Sequence, residues 1–552
     1  MSEPSTLPQA FQRQVELQPD AVALRSHDGA ISLTWREYNG EVRRIAGGLA
    51  NLGLERGDVF ATLLTNRPEF NLTEMAANHL GATTFSIYNT CSPEQIKYLL
   101  THSGARIVVT EEQYVDKIKA SGVQIDHLLV VDDGDVDRLA PEPDFDFEAA
   151  WQSVSPDDVL CIIYTSGTTG DPKGVEHTHA GVLGMSKAFG AAYPTDDTDS
   201  AISYLPSAHA ADRCCCYYFG TISGAQITTV SDLKQLPEAL VDVQPTVFAA
   251  VPRVWEKIKI GVELQLGANE QAKAGFDAGV PEVVDAIRAK LGLRRLKWAI
   301  SGAAPCPQGV YTFLQNLGVP VSDGWGMSEV GFATGATPEE ARHGTVGRPL
   351  PGYEWKLLDD GELLIRAPFL MRGYRNDRAK TADAIDAENW FHTGDVVTVD
   401  DDGYFRVVDR KKELIISAGG KNISPINVEN AISTSSPLIG TVVAIGDARP
   451  YNVALITLDP EAAPVFAAQL GLEADPALLA SDPKVRALVQ QGVDAGNEQL
   501  ARVEQVKKFE LLPVFWPLGG DELTPTGKLM RKPINAKYAA EIESMYAENG
   551  SM

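Results

Sequence analysis

The sequence is short of positive charge. It has 48 Lys and Arg residues against 74 Asp and Glu, a formal net charge of −26. Such a surface repels nucleic-acid phosphates and anionic lipid, which excludes nucleic acid as a partner. An anionic ligand must therefore be held by a local cluster of donors. Long apolar runs are also missing. No stretch approaches the ~20 residues needed to cross a bilayer, so no transmembrane segment is expected, and a weak peripheral membrane contact stays open. Cysteine is scarce, with six residues in 552, three of them consecutive at 214–216 and none in a C-x-x-C pair. That spacing excludes a zinc ribbon and a disulfide framework and fits a reducing compartment. MSEPSTLPQAFQRQ at the N-terminus lacks the charged-then-apolar layout of a signal peptide, and ENGSM at the end lacks a targeting tripeptide. The expected location is cytoplasmic. The oligomeric state is left open.

A chain of 552 residues that is 44% hydrophobic with 48 glycines is globular and contains more than one domain. Tyr38, Val42, Ile45 and Leu49 recur at helical spacing and Gly53 supplies a stop. The apolar run 59–64 predicts a strand, Pro68 opens another helix, Gly81 ends it, and 83–87 predicts a further strand. This alternation predicts an α/β fold with largely parallel sheets. Residues 261–290 read as a solvated helical surface. The alternation over 396–408 around Asp402-Gly403 predicts a hairpin. DRKKELIISAGGKN at 409–422 then opens a smaller unit with helical signals near 428–432 and 484–488. The boundary falls within 409–413, giving a large α/β domain over 1–410 and a smaller, mobile α+β domain over 411–552.

The densest chemistry lies in YTSGTTGDPKG at 164–174. Three glycines, three threonines, a serine and a lysine share eleven residues, directly after the apolar run 159–163. A buried strand running into such a loop turns N–H groups and hydroxyls on an anion, and Lys173 adds a mobile charge. It is not the loop of the common NTPases, which requires G-x-x-x-x-G-K-[ST]. Pro172 precedes the lysine and Gly174 follows it, so no adjacent hydroxyl holds a magnesium ion.

This string resembles the signature loop of the adenylate-forming superfamily, which includes acyl-CoA synthetases, beetle luciferases and peptide-synthetase adenylation domains. Five further segments match that superfamily in order. LPSAHAADR (205–213) resembles its acyl-pocket motif, SGAAP (301–305) and DGWGMSE (323–329) its adenine site, and WFHTGD (390–395) its ribose-binding segment. DRKKELIISAGGK (409–421) resembles the interdomain hinge and PTGKLMRK (525–532) the segment with the adenylation lysine. The resemblance implies ATP, Mg²⁺ and CoA as cofactors and co-substrates, and a site in the cleft between two domains. Thr165, Ser166, Gly167, Thr168, Thr169, Gly170 and Lys173 would cradle phosphate, Thr165 with a catalytic share. Ser301, Gly302, Ala303, Asp323, Gly324, Trp325, Gly326, Met327 and Ser328 would line the nucleotide, the glycines letting backbone approach a flat purine. Asp395 would accept the ribose hydroxyls and Arg410 add a fork of donors from the hinge side. Glu329 is the expected magnesium ligand, Lys412 the hinge and Lys528 the cation that stabilises the adenylation transition state. His209 would position the carboxylate; a single His in an apolar stretch is more often a packed core residue. His177 and His179 read as helix-start residues, and the run from Cys214 as core.

LPSAHAADR, with Asp212 where glutamate is usual, and VPRVWEKI (251–258) resemble the long-chain acyl-CoA synthetase branch. VPRVWEKI also reads as a Pro-initiated amphipathic helix. The implied reaction is ATP-dependent activation of a medium- to long-chain fatty acid to acyl-AMP and pyrophosphate, then transfer to CoA. The alternatives are an acyl-AMP ligase loading a carrier protein, or a CoA ligase for an aryl or sterol side-chain acid.

Overall fold

The computed structural model describes residues 3–165, 171–304, 306–418, 421–524 and 527–547. The periodic apolar residues Tyr38, Val42, Ile45 and Leu49 all lie buried on one face of the helix Trp35–Asn51, whose start is closed by a reciprocal cap between Thr34 and Glu37. Gly53 takes a φ of +81° just beyond it, a conformation that costs glycine nothing. Val59–Leu63 and Thr83–Ser86 are strands with every residue buried, and Pro68 opens the helix Pro68–His79.

These elements alternate into two seven-stranded sheets. One runs Val321–Asp323, Trp298–Ser301, Val247–Ala250, Ser200–Ser203, Gln226–Thr229, Val22–Ser26, Ser32–Thr34, parallel except at the last pair. The other runs Gly373–Tyr374, Lys173–Thr178, Val159–Thr165, Thr83–Ser86, Val59–Leu63, Ala105–Thr110, His127–Val130, antiparallel only across its first two pairs. Loops leaving the carboxyl ends of the parallel strands of both sheets meet in a cleft of about 910 Å³, lined among others by Asn66, Arg67, Tyr88, Glu111 and the segment 206–208. Crevices outside strand carboxyl ends are where open α/β sheets bind ligands.

A four-stranded antiparallel sheet follows, including the hairpin Phe391–Val399 and Phe405–Arg410, turned at Gly403 with φ +82°. Beyond it the apolar core starts afresh. The clusters containing Ile415 and Val443 share no residue with those that end at Phe405. The later unit packs the helices Pro425–Ser433 and Pro483–Asn497 against Ile439–Ile445, Asn452–Leu458 and Val506–Leu511.

Residues 261–290 are helical and mostly exposed, as expected. They belong to the helices Pro252–Gly267, Glu270–Asp277 and Pro281–Lys290, which bury Val262, Leu266 and Phe276 in a shared core. Among the described residues no helix is long and apolar enough to cross a membrane.

Candidate active site

The glycine-rich loop joins two antiparallel strands. Thr165, last of Val159–Thr165, is the cross-strand partner of Lys173, first of Lys173–Thr178, and its hydroxyl donates to the Lys173 carbonyl at 3.5 Å. Ser166, Gly167, Thr168, Thr169 and Gly170 lie outside the described residues. Because a strand follows the loop, there is no helix N-terminus at its exit of the kind used by the common NTPases. The helix His179–Ala192 begins only after that strand.

Lys173 places its ammonium 4.7 Å from the centre of the Tyr374 ring, a cation–π distance. The Tyr374 hydroxyl donates to Glu329 Oε1 at 2.8 Å. Burial, then the neighbouring Glu329 carboxylate, raises the phenol pKa, so Tyr374 stays protonated and remains a donor. Tyr374 reaches this position because Gly373–Tyr374 adds to the sheet beside Val175 and Glu176. The sequence reading missed it: a two-residue edge strand leaves no periodic signal. His177, expected at a helix start, instead lies inside the strand, where its Nε2 donates to the Ser328 carbonyl at 2.6 Å. Burial lowers its pKa to about 4, so it is neutral and acts as a strut that fixes the backbone just before Glu329. His179 does begin a helix, and its Nδ1 accepts from the Leu7 amide at 3.2 Å.

Ser301 and Asp323 face each other as register partners on adjacent strands. Burial raises the Asp323 pKa to about 7. Among the glycines only Gly302 keeps its open space, the nearest atom to an added Cβ being Phe332 Cζ at 3.8 Å. At Gly324 an added Cβ would meet Ile300 at 3.0 Å and Phe332 and the Thr334 carbonyl at 3.2 Å, and at Gly326 it would meet the Gly331 carbonyl at 2.1 Å. The absence of a side chain at Gly326 therefore serves its own hairpin; this corrects the expectation that it opens space for a purine. Ala303 is exposed and holds a φ of +68°, a conformation costing an L-residue about 1–2 kcal/mol. Met327 is half-buried against the neighbouring core, and Ser328 is half-buried beside it.

Asp395 lies within the strand Phe391–Val399, not before it. Its Oδ2 accepts from the indole nitrogen of Trp325 at 2.8 Å, and its Oδ1 stands 3.1 Å from Arg410 Nε, the two residues being cross-strand partners. Burial raises the Asp395 pKa, with Arg410 opposing.

Lys528 is carried to the neighbourhood of Asp395 and Arg410 by the later unit, on a tight turn in which its amide donates to Thr524 Oγ1 at 2.9 Å and Gly527 takes a φ of +78°. Thr526 lies outside the described residues. The residue is exposed. Surrounding protein, then the Arg410 guanidinium, lowers its pKa, while Asp395, Glu329 and Glu413 oppose the shift. His209 is half-buried and its Nδ1 accepts from the Ala211 amide at 3.1 Å, which leaves the ring proton on Nε2. Burial, then Lys528, lowers its pKa to about 4. It is a neutral donor beside a cation. Arg213, at the other end of the same motif, turns into the core and pairs with Glu74 through two bonds of 2.8 and 2.6 Å. The cysteines after it pack in the π-helical turn Arg213–Tyr217, and Lys412 is exposed on a turn between the two cores.

Two buried atoms, Ser301 Oγ and Asp323 Oδ1, have no hydrogen-bond partner among the described residues and border this one site, where Asp395 Oδ1 has only its ion pair with Arg410. Buried polar atoms are rarely left so. Acceptors at Asp395 for vicinal hydroxyls, open space at Gly302 and cations at Lys173, Arg410 and Lys528 suit a nucleoside triphosphate. No group of three His, Cys, Asp or Glu side chains that could hold a metal occurs among the described residues. Glu329 as a single carboxylate suits magnesium, which completes its shell with phosphate oxygens and water.

A model of the AMP-binding enzyme family matches residues 11–375 and one of the AMP-binding enzyme C-terminal domain matches residues 412–550. The chain is 48% identical over 434 residues, 73% of its own length and 76% of the relative's, to a protein of Mycobacterium tuberculosis named as a fatty-acid–CoA ligase, fadD11. It is 32% identical over 556 residues, 93% and 92% of the two lengths, to the long-chain-fatty-acid–CoA ligase FadD15 of Mycobacterium bovis. The crystal structure of the anthranilate CoA ligase AuaEII with anthranoyl-AMP superposes with a TM-score of 0.76 at 20% identity, covering 98% of this chain and 99% of that one. Fold, matched family models and relatives agree, and the chain belongs to the AMP-binding enzyme family.

Proposed function

We propose that the protein is an acid–thiol ligase that converts a medium- to long-chain fatty acid into its CoA thioester through acyl-AMP. The observation that carries this reading is that Lys528 of the later unit lies close enough to Asp395, Glu329 and Arg410 of the larger one to feel their charges, beside the Asp395–Arg410 ion pair. In the first step a carboxylate oxygen attacks the α-phosphorus of ATP, the bond to the β-phosphate oxygen breaks and pyrophosphate leaves. Negative charge builds on the α-phosphoryl oxygens, where Lys528 and Lys173 stabilise it. Asp395 holds the ribose, His209 Nε2–H orients the carboxylate, and Glu329, fixed by Tyr374, would hold Mg²⁺, which would neutralise phosphate charge. In the second step the CoA sulfur attacks the acyl carbonyl and AMP leaves. The relatives named for fatty-acid and long-chain-fatty-acid substrates support the acid class. A cytoplasmic location belongs to the same proposal and is supported by six unpaired cysteines.

The test is pyrophosphate release over acids from acetate to oleate, with benzoate, cinnamate and a steroid acid, each with and without CoA. An apolar tunnel gains about 0.8 kcal/mol per methylene, or about fourfold in efficiency, until it is filled. Highest efficiency on acetate or benzoate would overturn the long-chain reading. Acyl-AMP without thioester would make the protein an acyl-AMP ligase.

A further inference from the structure

VPRVWEKI at 251–258 is unaccounted for by the site just described, and in the structure it divides by face. Pro252 opens the helix Pro252–Gly267, and Val254 and Trp255 are buried with Val262 and Leu266. Arg253 and Lys257, one turn apart on the same side, project the other way. Arg253 Nη2 pairs with Asp459, and Lys257 Nζ pairs with Glu461 Oε1 at 2.9 Å. Both acids belong to the later unit, just past the strand Asn452–Leu458. Asp459 is itself fixed: it is buried, and its Oδ1 accepts from the amides of Glu461 and Ala462 at 3.0 and 2.9 Å. The second oxygen is thereby aimed at Arg253. The Glu461 carboxyl is held below its ordinary range by its bond to Lys257, with the charges of Arg253 and Lys234 adding. Arg253 is braced in turn by Glu256 at 3.0 Å.

Opposite charges are therefore sorted by unit, with cations on the helix of the larger unit and acids on the smaller one. The apolar cores do not cross between the units, so their relative placement depends on polar contacts. Lys528 rides on the smaller unit. We infer that Arg253 and Lys257 are positioning residues that dock the later unit through Asp459 and Glu461 so that Lys528 enters the cleft. This rests on the proposed adenylation role of Lys528. Arg253 and Lys257 pair with Glu256, Asp459 and Glu461 and not with Ser301, Asp323, Asp395 or Lys528, so they act on the chemistry only through where the smaller unit sits. Docking of this kind governs acyl-AMP formation, which needs Lys528, and leaves untouched a step that does not.

The experiment compares the wild type, the pair Arg253→Glu/Lys257→Glu, the pair Asp459→Arg/Glu461→Lys, and all four changes together. Acyl-AMP formation and thioester formation from added acyl-AMP are measured separately across a range of NaCl, and thermal unfolding checks that each variant folds. Two charge pairs, one exposed and one ending on the buried Asp459, predict that either charge reversal slows acyl-AMP formation about three- to tenfold. Thioester formation from added acyl-AMP is unchanged or faster, and the four-fold exchange restores the first step. In the wild type, acyl-AMP formation falls with salt more steeply than thioester formation. The docking role is overturned if both steps fall equally, if the exchange does not restore, or if the reversals have no effect. Should Asp459→Arg unfold the smaller unit by removing its turn, Glu461→Lys with Lys257→Glu repeats the exchange on the exposed pair alone. A wild type that forms no acyl-AMP from any acid would refute the proposed function instead.

Discussion

At the scale of single residues, the side chains that matter most are those whose environment is set by distant segments. Lys528 is an open lysine on a glycine turn, and its charge is useful because Asp395, Glu329 and Arg410 stand around it. Lys528→Ala should cut acyl-AMP formation by about 10² to 10³, the loss seen for one transition-state donor, with thioester formation from added acyl-AMP less affected. Normal pyrophosphate exchange in this variant would remove Lys528 from the mechanism. Tyr374 acts one step further back. Its hydroxyl fixes Glu329 and its ring carries Lys173, so Tyr374→Phe keeps the ring and loses only the bond to the carboxylate. Loss of such a supporting partner weakens metal binding about 10- to 100-fold. The expected result is a matching rise in the Mg²⁺ concentration needed for half-maximal rate, and a weaker Mn²⁺·ATP complex by electron paramagnetic resonance. An unchanged metal requirement would leave Tyr374 a packing residue.

At the scale of elements, local periodicity was legible and long-range pairing was not. The buried stripe at Tyr38, Val42, Ile45 and Leu49, the proline at the start of Pro68–His79 and the hairpin at Gly403 are written in neighbouring residues. The contact of His177 with the Ser328 carbonyl, the bond from Tyr374 to Glu329 and the pair of Arg213 with Glu74 join segments far apart in the chain. No spacing rule reveals them. The same limit hid the three side chains, Val262, Leu266 and Phe276, that the otherwise exposed helical surface 261–290 buries. The segment 205–213 shows what this hides. Asp212, read as a variation in a motif, is buried and accepts from Ser203 Oγ at 3.0 and 3.1 Å. Burial raises its pKa to about 7 from an ordinary 3.8. A carboxyl whose folded pKa lies above its unfolded value favours the folded state at low pH, and that stability is lost as pH rises through the folded pKa. Between about pH 4 and 7 the folded protein binds this proton more tightly than the unfolded chain does. Asp212→Asn, which cannot ionise, should therefore unfold at a higher temperature relative to wild type at pH 8 than at pH 5. A melting-temperature difference that does not widen with pH would show that Asp212 stays charged in the fold.

At the scale of the whole molecule, two units with separate cores meet across one short crossing of chain, and the side chains there belong alternately to each. Lys411 pairs with Asp360 at 2.5 Å and Glu362 at 2.9 Å, and its amide donates to the Gly394 carbonyl at 2.8 Å, all in the larger unit. Glu413 faces Arg531 at 3.4 Å, and Arg531 holds Glu429 at 2.6 Å, both in the smaller unit. Lys412, exposed between them, is where the attachment changes over. On the proposed mechanism, the first of two chemical steps requires Lys528, while the second must admit a thiol to the same acyl carbonyl. On that mechanism, rotation about Lys412 would exchange these while keeping the Lys411 and Glu413 anchors, and would break contacts that span the crossing, such as that of Ser424 with Asp409. Lys412→Pro fixes φ near −65° and so restricts the backbone at the changeover without touching the site. Acyl-AMP formation should remain within about twofold of wild type, the scale of a surface substitution away from the site. Thioester formation from added acyl-AMP should fall by much more. Single-turnover measurement of each step decides the matter, since equal loss in both would place the pivot elsewhere or show that the smaller unit stays docked throughout.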